Sequence, residues 1–143
     1  MAEGLRLDIT RLCRDYRLDG RRIRVFEDAE FSIDAGQTVA MVGSSGAGKS
    51  TLLHLLGLLD RPTSGEIRYN GAALLASRED VIEDFRNRQV GFVFQFHHLL
   101  PEFTAQENVM MPAIIAGSQM GEARDRATAL LERVGLAERL AHA

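Results

Sequence analysis

One glycine-rich stretch constrains the fold of this chain more than any other. Residues 43–51 follow the pattern G-x-x-x-x-G-K-[ST] of a phosphate-binding loop, or P-loop. Glycine has no Cβ, so such a loop can wrap closely and point successive N–H groups at a phosphate. The predicted binding residues are Gly43, Ser44, Ser45, Gly46, Ala47, Gly48, Lys49, Ser50 and Thr51. The sequence therefore predicts a site for a nucleoside triphosphate.

The last residues of this stretch suit a triphosphate bound together with Mg²⁺. A helix that begins near Lys49 adds its positive N-terminal end and its unpaired N–H groups. The Lys49 ammonium can reach the β- and γ-phosphates as a point charge, which makes it the predicted catalytic cation. Ser50 is predicted to place its hydroxyl on Mg²⁺.

The residues around the P-loop have the composition of a buried strand and a buried helix. Residues 38–42 run into the loop without polar alternation, which is typical of a strand covered on both faces of a mostly parallel sheet. Six leucines follow on a helix that is too apolar for the surface. They are Leu52, Leu53, Leu55, Leu56, Leu58 and Leu59. Strand, loop and helix thus come in the order that a P-loop needs.

Bulk composition narrows the class of protein. The chain has 143 residues, 45% of them hydrophobic and 26% charged, with a net charge of −3. This length allows one domain or a piece of one. The hydrophobic fraction excludes a disordered chain, and the slightly negative net charge excludes a basic surface for binding nucleic acid. Cys13 is the only cysteine, which fits a reducing compartment. We expect a cytoplasmic chain with no signal peptide that can still dock on a membrane protein.

The N-terminal part predicts two antiparallel strands ahead of the P-loop. Leu5, Leu7 and Ile9 alternate with polar residues as in a half-buried strand. Residues 14–22 predict a turn, and a second strand is expected over residues 23–33. After the P-loop helix, which should end before Pro62, residues 66–70 predict a short strand.

The C-terminal part predicts one more strand and mostly helix. A helix is expected from a capping pattern at residues 77–80 through about residue 88, and a strand over residues 90–94. Thr104 and Glu107 form a capping box that opens the next helix, with a bend expected at Pro112. A last helix is expected over residues 121–134, stopped by Gly135.

Several motifs together resemble one family. Tyr16 precedes the P-loop, residues 62–65 read PTSG, and residues 91–95 read GFVFQ ahead of a helical stretch. In this order they resemble an ABC transporter ATPase over essentially the whole chain. The resemblance implies that Tyr16 stacks on the adenine of ATP. It implies that Gln95 ligates Mg²⁺ or orients the attacking water, as a second catalytic residue.

Residues 50–57 and 95–104 are similar to one subfamily, the ATPase subunits of exporters that release lipoproteins from the inner membrane. The resemblance implies a homodimer beneath two integral membrane subunits, at the cytoplasmic face of that membrane. It also implies that residues 96–104 and the next helix meet those subunits. His97 and His98 invite a metal-site interpretation, but neighbours in an extended chain point to opposite sides and no third ligand is near in sequence.

The expected fold is an α/β P-loop NTPase: a mostly parallel sheet, an N-terminal antiparallel subsheet and a helical subdomain that starts at about residue 96. Residues 1–143 would form part of one such domain with its C-terminal part missing, because no signature motif, Walker B carboxylates or switch histidine follows Gly135. We therefore expect the central strands to be underburied. A nucleotide-binding module without turnover and the ATPase of another ABC exporter stay open as alternatives. A small-metabolite kinase is disfavoured by Tyr16 and Gln95.

Overall fold

The structure is a computed structural model that describes residues 4–96 and 98–142. It divides into two compact units, Met1–Arg86 and Asn87–Ala143, each described here by itself. In chain order, the strands and α-helices are β1 (Leu7–Leu18), β2 (Arg21–Ile33), α1 (Lys49–Leu56), β3 (Ser64–Tyr69), α2 (Glu79–Gln89), α3 (Ala105–Ile115) and α4 (Met120–Arg133). Short 3₁₀ helices lie at Leu74–Ala76 and Ala137–Arg139.

Strands β1 and β2 form a long antiparallel hairpin, which confirms the predicted N-terminal subsheet. The turn is shorter than predicted. Only Asp19 and Gly20, with φ of 49° and 76°, lie between the strands, as a tight hairpin turn requires. Residues 14–18 and 21–22 continue the strands because the charged side chains pair across them. Arg22 and Arg24 both form ion pairs with Asp15.

Strand β3 completes a three-stranded antiparallel sheet of order β2-β1-β3. Its residues confirm the short strand predicted at 66–70, shifted by one or two positions. The core of the first unit joins this sheet to α1 and α2. Its buried members are Ile9, Leu12, Leu55, Leu58, Ile67, Tyr69 and Ile82. The P-loop helix is therefore held on the antiparallel sheet.

The predicted strands at 38–42 and 90–94 are wrong for this structure. Neither segment pairs with a strand among the described residues, where all strand pairing is antiparallel, so the expected parallel sheet is not formed. The expected underburial is confirmed: Val42 is 90% exposed and Val93 is 101% exposed. Apolar composition alone does not make a strand, because the backbone N–H and C=O groups need a neighbouring strand.

The P-loop helix is shorter and less buried than its leucines predicted. Helix α1 ends at Leu56, and the chain turns through Leu58 with φ of 60°. Leu55 and Leu58 are buried, but Leu53 is 54% exposed and Leu59 is 44% exposed. One face of α1 packs on the sheet, so the interpretation as an all-round buried helix is wrong for these two residues.

The second unit contains the last turn of α2, then α3 and α4. Thr104 and Glu107 form the predicted capping box at the start of α3, and Pro112 lies inside that helix. Helix α4 ends one residue earlier than predicted. Gly135, with φ of 77°, closes it as its N–H donates to Glu132 O at 3.0 Å. Met110, Ala123 and Ala127 form the buried contact between α3 and α4.

None of the helices in residues 4–96 and 98–142 is long and apolar enough to cross a membrane. The assignment of all 143 residues to one partial domain, with a helical insert from about residue 96, stays a prediction.

Candidate nucleotide site

The P-loop lines an open depression on the first unit. The depression has a volume of about 310 Å³ and is lined by Val25 of β2 and by residues 45–51. Gly46 and Gly48 take positive φ values of 79° and 86°, so the loop uses the backbone freedom that its glycines supply. The predicted stretch therefore folds as a curved loop that leads into α1.

Strand β2 positions the end of the loop. The pairing of β1 with β2 shifts between Arg14 and Asp15, and this β-bulge leaves Val25 as an extra residue before Phe26. A Cβ on Gly48 would lie 2.4 Å from Val25 Cγ1 and 3.4 Å from Phe26 Cδ1. Both side chains therefore pack against the loop, and Gly48 is the residue that lets the backbone come this close.

Lys49 folds back over the loop. Its Nζ donates to Gly43 O at 2.8 Å and to Ser44 O at 2.7 Å. Two carbonyl oxygens of the loop thus hold the ammonium close to the loop backbone. The ammonium is a compact positive charge. Phosphate oxygens of a bound nucleotide can replace the two carbonyl oxygens as its hydrogen-bond acceptors.

The N-terminal end of α1 suits an anion. Its N-cap residue is Gly48, and no side chain caps the helix. No acidic residue lies in the first turn, so the positive end of the helix dipole is not neutralised locally. Ser50 is exposed and Thr51 half-buried at this end. The first N–H groups of a helix have no partner within it, so those of α1 are available to a phosphate at this end.

Tyr16 lies near the end of β1, opposite Ile23 of β2. Ile23 is two residues before Val25, so the hairpin places the tyrosine beside the strand segment that lines the loop. The residue is 38% exposed. Its hydroxyl donates to Asp60 Oδ2 at 3.1 Å, and the Arg14 guanidinium lies 4.3 Å from its ring centroid. The predicted stacking of Tyr16 on the adenine stays a prediction.

Three neighbours of these residues were missed in the sequence: Arg14, Val25 and Asp60. Arg14 is two positions before Tyr16 in the same strand, and alternation along a strand could have indicated that both lie on one face. Asp60 follows the P-loop helix, and no local pattern there indicates a contact with a residue of β1. Val25 lies in the strand predicted over residues 23–33, but the β-bulge that turns it to the loop has no local signal.

Gln95 lies in the second unit, exposed, in an irregular stretch after Phe94. Its predicted roles in Mg²⁺ binding and catalysis stay predictions. His98 is exposed, and its ring and the Phe94 ring pack nearly perpendicular to each other at a centroid distance of 5.0 Å. His97 lies outside the described residues. Among residues 4–96 and 98–142, no three His, Cys, Asp or Glu residues are grouped as a metal site would need.

Comparison with known proteins decides the family. Residues 26–143 match the model of the ABC transporter family. The chain belongs to that family. The matched segment contains the complete P-loop and Gln95, and it begins ten residues after Tyr16.

The relatives of this ABC transporter chain include lipoprotein-releasing proteins. It is 50% identical over 136 residues to the lipoprotein-releasing system ATP-binding protein LolD of Syntrophotalea carbinolica, with 95% of this chain and 60% of the relative covered. It is 53% identical over 132 residues to LolD of Xanthomonas campestris pv. campestris, covering 92% and 55% respectively. The chain therefore spans 55–60% of the length of these two relatives.

Solved structures show the same fold. A dimeric, post-hydrolysis structure of the ATP-binding cassette MJ0796, bound to ADP and Pi, matches with a TM-score of 0.84 at 33% identity. The match covers 94% of this chain and 60% of that one. A structure of the ATP-binding subunit of an ABC transporter matches with a TM-score of 0.73 at 31% identity. The ABC transporter chain thus has part of the ABC ATPase fold.

Proposed function

We propose that this chain is the nucleotide-binding part of the ATP-binding subunit of an ABC exporter that releases lipoproteins from the inner membrane. The observation that carries the proposal is the Lys49 ammonium, held by Gly43 O and Ser44 O beside a helix end with no acidic residue in its first turn. The similarity to LolD proteins supports the choice of exporter.

Each predicted residue has a role toward ATP with Mg²⁺. The N–H groups of the loop and of the first turn of α1 receive phosphate oxygens. Lys49 exchanges its two carbonyl partners for the β- and γ-phosphates, and Tyr16 stacks on the base. Ser50 and Gln95 are the proposed Mg²⁺ ligands, and Mg²⁺ neutralises charge on the phosphates when bound.

The second unit supplies the proposed contact with membrane subunits. Its exposed apolar side chains include Phe96 (70%), Leu99 (58%) and Leu100 (43%). A cluster of exposed apolar side chains in one segment is typical of an interaction site. The whole protein then works as a homodimer at the cytoplasmic face of the inner membrane, as a peripheral subunit. The dimeric form of the MJ0796 structures supports the homodimer.

Turnover is proposed only for the whole protein. Residues 1–143 contain the groups that are proposed to contact ATP in its ground state. They do not contain the Walker B carboxylates, which the family resemblance assigns to positioning water and holding the metal. Phosphoryl transfer depends on such positioned groups. A nucleotide-binding module without turnover is the second candidate function that we propose for residues 1–143 by themselves.

A labelling experiment tests ATP binding directly. Lys49 is the only lysine in the sequence, so its Nζ and the α-amino group are the only aliphatic amines that react with acetic anhydride. Trace acetylation followed by peptide mapping measures the two rates separately. We expect ATP with Mg²⁺ to slow acetylation of Lys49 and to leave the α-amino group unchanged, because phosphate covers the ammonium.

Two controls make the result specific. Adenosine, which has no phosphate, should not protect Lys49. Inorganic tripolyphosphate, which has no base, should protect it in part. Equal rates with and without saturating ATP would show that the nucleotide does not bind at the P-loop.

A further inference from the structure

Three side chains from two distant parts of the first unit form one bonded group. Arg14 Nη2 lies 2.7 Å from Asp60 Oδ2, and Arg14 Nη1 donates to Arg61 O at 2.7 Å. The Tyr16 hydroxyl donates to the same Asp60 oxygen at 3.1 Å. The Arg14 guanidinium also lies over the Tyr16 ring, 4.3 Å from its centroid. The tyrosine is thus held at its hydroxyl and on one face of its ring.

Packing alone does not explain an arginine at this position. Only 18% of the Arg14 side chain is exposed, and its Nε is buried with no hydrogen-bond partner among the described residues. A buried N–H group without an acceptor costs free energy. The planar guanidinium offers what a shorter or apolar side chain lacks: a charged fork for a carboxylate and a flat face for an aromatic ring.

Asp60 connects this group to the P-loop helix. Its backbone N–H donates to His54 O at 3.3 Å, in the last turns of α1, and its Oδ1 accepts from Arg61 N at 2.7 Å. The carboxylate therefore has a defined place relative to the helix that begins at Lys49. Through Asp60, the position of the Tyr16 ring is coupled to the helix that carries the phosphate-binding residues.

We propose that Arg14 and Asp60, the Arg14–Asp60 clamp, are positioning residues that fix the Tyr16 ring as one wall of the base site. This inference rests on the proposed function. The clamp holds the guanidinium on one ring face, and in this proposal the base of the nucleotide stacks on the other. Among the described residues, no hydrogen bond or ion pair joins the Arg14 or Asp60 side chain to residues 43–51, so we expect the clamp to act on affinity for the base.

The test compares a ligand that has a base with one that has none. Equilibrium binding of ATP and of inorganic tripolyphosphate, both with Mg²⁺, is measured on the full chain and on Arg14→Gln and Asp60→Asn. We expect each variant to weaken ATP binding by about three- to tenfold and to leave tripolyphosphate binding unchanged. The side-chain amide in Asp60→Asn keeps an acceptor for Arg61 N, and urea unfolding confirms that each variant is folded.

The controls separate positioning from general destabilisation. Arg68→Gln removes an arginine of the same sheet, ion-paired with Glu66 at 2.7 Å, and should change neither affinity. Arg14→Gln in a Tyr16→Ala background should add no further loss, because there is no ring to position. If Arg14→Gln does not fold, Arg14→Lys keeps the charge without the fork or the flat face and should show the same loss for ATP alone.

The outcomes distinguish this inference from the proposed function. Equal losses for both ligands, no loss of ATP affinity, or a full additional loss in the Tyr16→Ala background would each overturn the clamp while the P-loop site stands. Lys49→Ala should weaken binding of both ligands. A native chain that binds neither ligand would overturn the proposed function, and the clamp with it.

Discussion

Gly48 and Val25 are in a contact that only glycine permits: a Cβ on Gly48 would lie 2.4 Å from Val25 Cγ1, and its φ is 86°. Gly48→Ala is expected to destabilise the first unit by about 2–5 kcal/mol, the sum of a left-handed backbone and an overpacked contact. It should also abolish ATP binding, because the loop has to move away from β2. Urea unfolding and ATP binding measure the two effects.

A matched substitution separates the two causes. Gly46 has a similar φ of 79°, but a Cβ there would meet nothing within 4 Å. Gly46→Ala should therefore lower the free energy of unfolding only by the cost of a left-handed backbone at alanine, about 1–2 kcal/mol. Val25→Ala should recover part of the loss in Gly48→Ala and none in Gly46→Ala. Equal costs for the two glycine substitutions would show that the contact with Val25 is not tight.

Lys49→Ala should weaken ATP binding much more than Tyr16→Phe does. The first removes a charge-assisted contact worth about 1.5–3 kcal/mol, or about 10- to 150-fold in affinity. The second keeps the stacking ring and loses only the hydroxyl bond to Asp60, with an expected loss on the order of two- to fivefold. Isothermal titration with ATP measures both. Equal losses would indicate that the nucleotide binds elsewhere.

The 143 residues by themselves should bind ATP without hydrolysing it at a rate typical of the family. Loss of one well-placed electrostatic group costs about 100- to 1,000-fold in rate. The signature motif, the Walker B carboxylates and the switch histidine are all missing from these residues. Phosphate release and nucleotide binding are measured in parallel on chain shown to be folded by circular dichroism. Release that matches an intact subunit and disappears in Lys49→Ala would contradict this prediction.

The capping box of α3 should make the second unit less stable in acid. The Thr104 backbone N–H, and then its hydroxyl, donate to Glu107 and hold the pKa of that carboxyl below its usual value of 4.5. Because the folded pKa lies below the unfolded value of 4.5, the stabilisation is present above that pH and is lost as pH falls through the lower folded value. Urea unfolding between pH 7 and pH 3 measures it.

Two variants test the cause of that acid sensitivity. Glu107→Gln keeps an acceptor but does not titrate, so its stability should depend less on pH in this range. Thr104→Ala removes both side-chain bonds and should lower stability at pH 7 by about 1 kcal/mol. An unchanged pH dependence in Glu107→Gln would assign the acid sensitivity to other carboxyl groups.

Tyr69 should stabilise the end of the P-loop helix. Its buried hydroxyl donates to Leu56 O at 2.9 Å, and burial raises the pKa of this phenol well above its usual value. Tyr69→Phe leaves that carbonyl without its partner and should lower the free energy of unfolding by about 1 kcal/mol. Tyr69→Phe keeps the edge contact of the ring with Phe85, whereas Tyr69→Leu removes it. Tyr69→Leu should therefore lower the free energy of unfolding more, as chemical unfolding measures. No difference between Tyr69→Phe and the native chain would exclude the hydroxyl as a stabilising group.

In the β1–β2 hairpin, the local sequence predicts the turn but not the limits of the strands. Asp19 and Gly20 predict a tight turn, but the residues around them are more charged than strand residues usually are. Backbone pairing continues through those residues, and the cross-strand ion pairs of Asp15 with Arg22 and Arg24 accommodate their charges. Pairing of this kind is decided between strands, so composition along one strand does not predict its limits.

The sequence by itself determined the features that need only neighbours along the chain. These are the P-loop with its glycines and Lys49, the capping box of Thr104 and Glu107, and the stop at Gly135. Their physics is local, because glycine freedom and helix caps act within a few residues. The order of the motifs also determined the family.

Only the tertiary structure decided the rest. Residues 38–42 are apolar enough for a buried strand, yet they are exposed because no strand among the described residues pairs with them. Val25 reaches Gly48 through a β-bulge, and Arg14 reaches Asp60 across 46 positions in sequence. Strand pairing and ion pairs between distant residues depend on where the folded chain places their partners, and no local pattern specifies that placement.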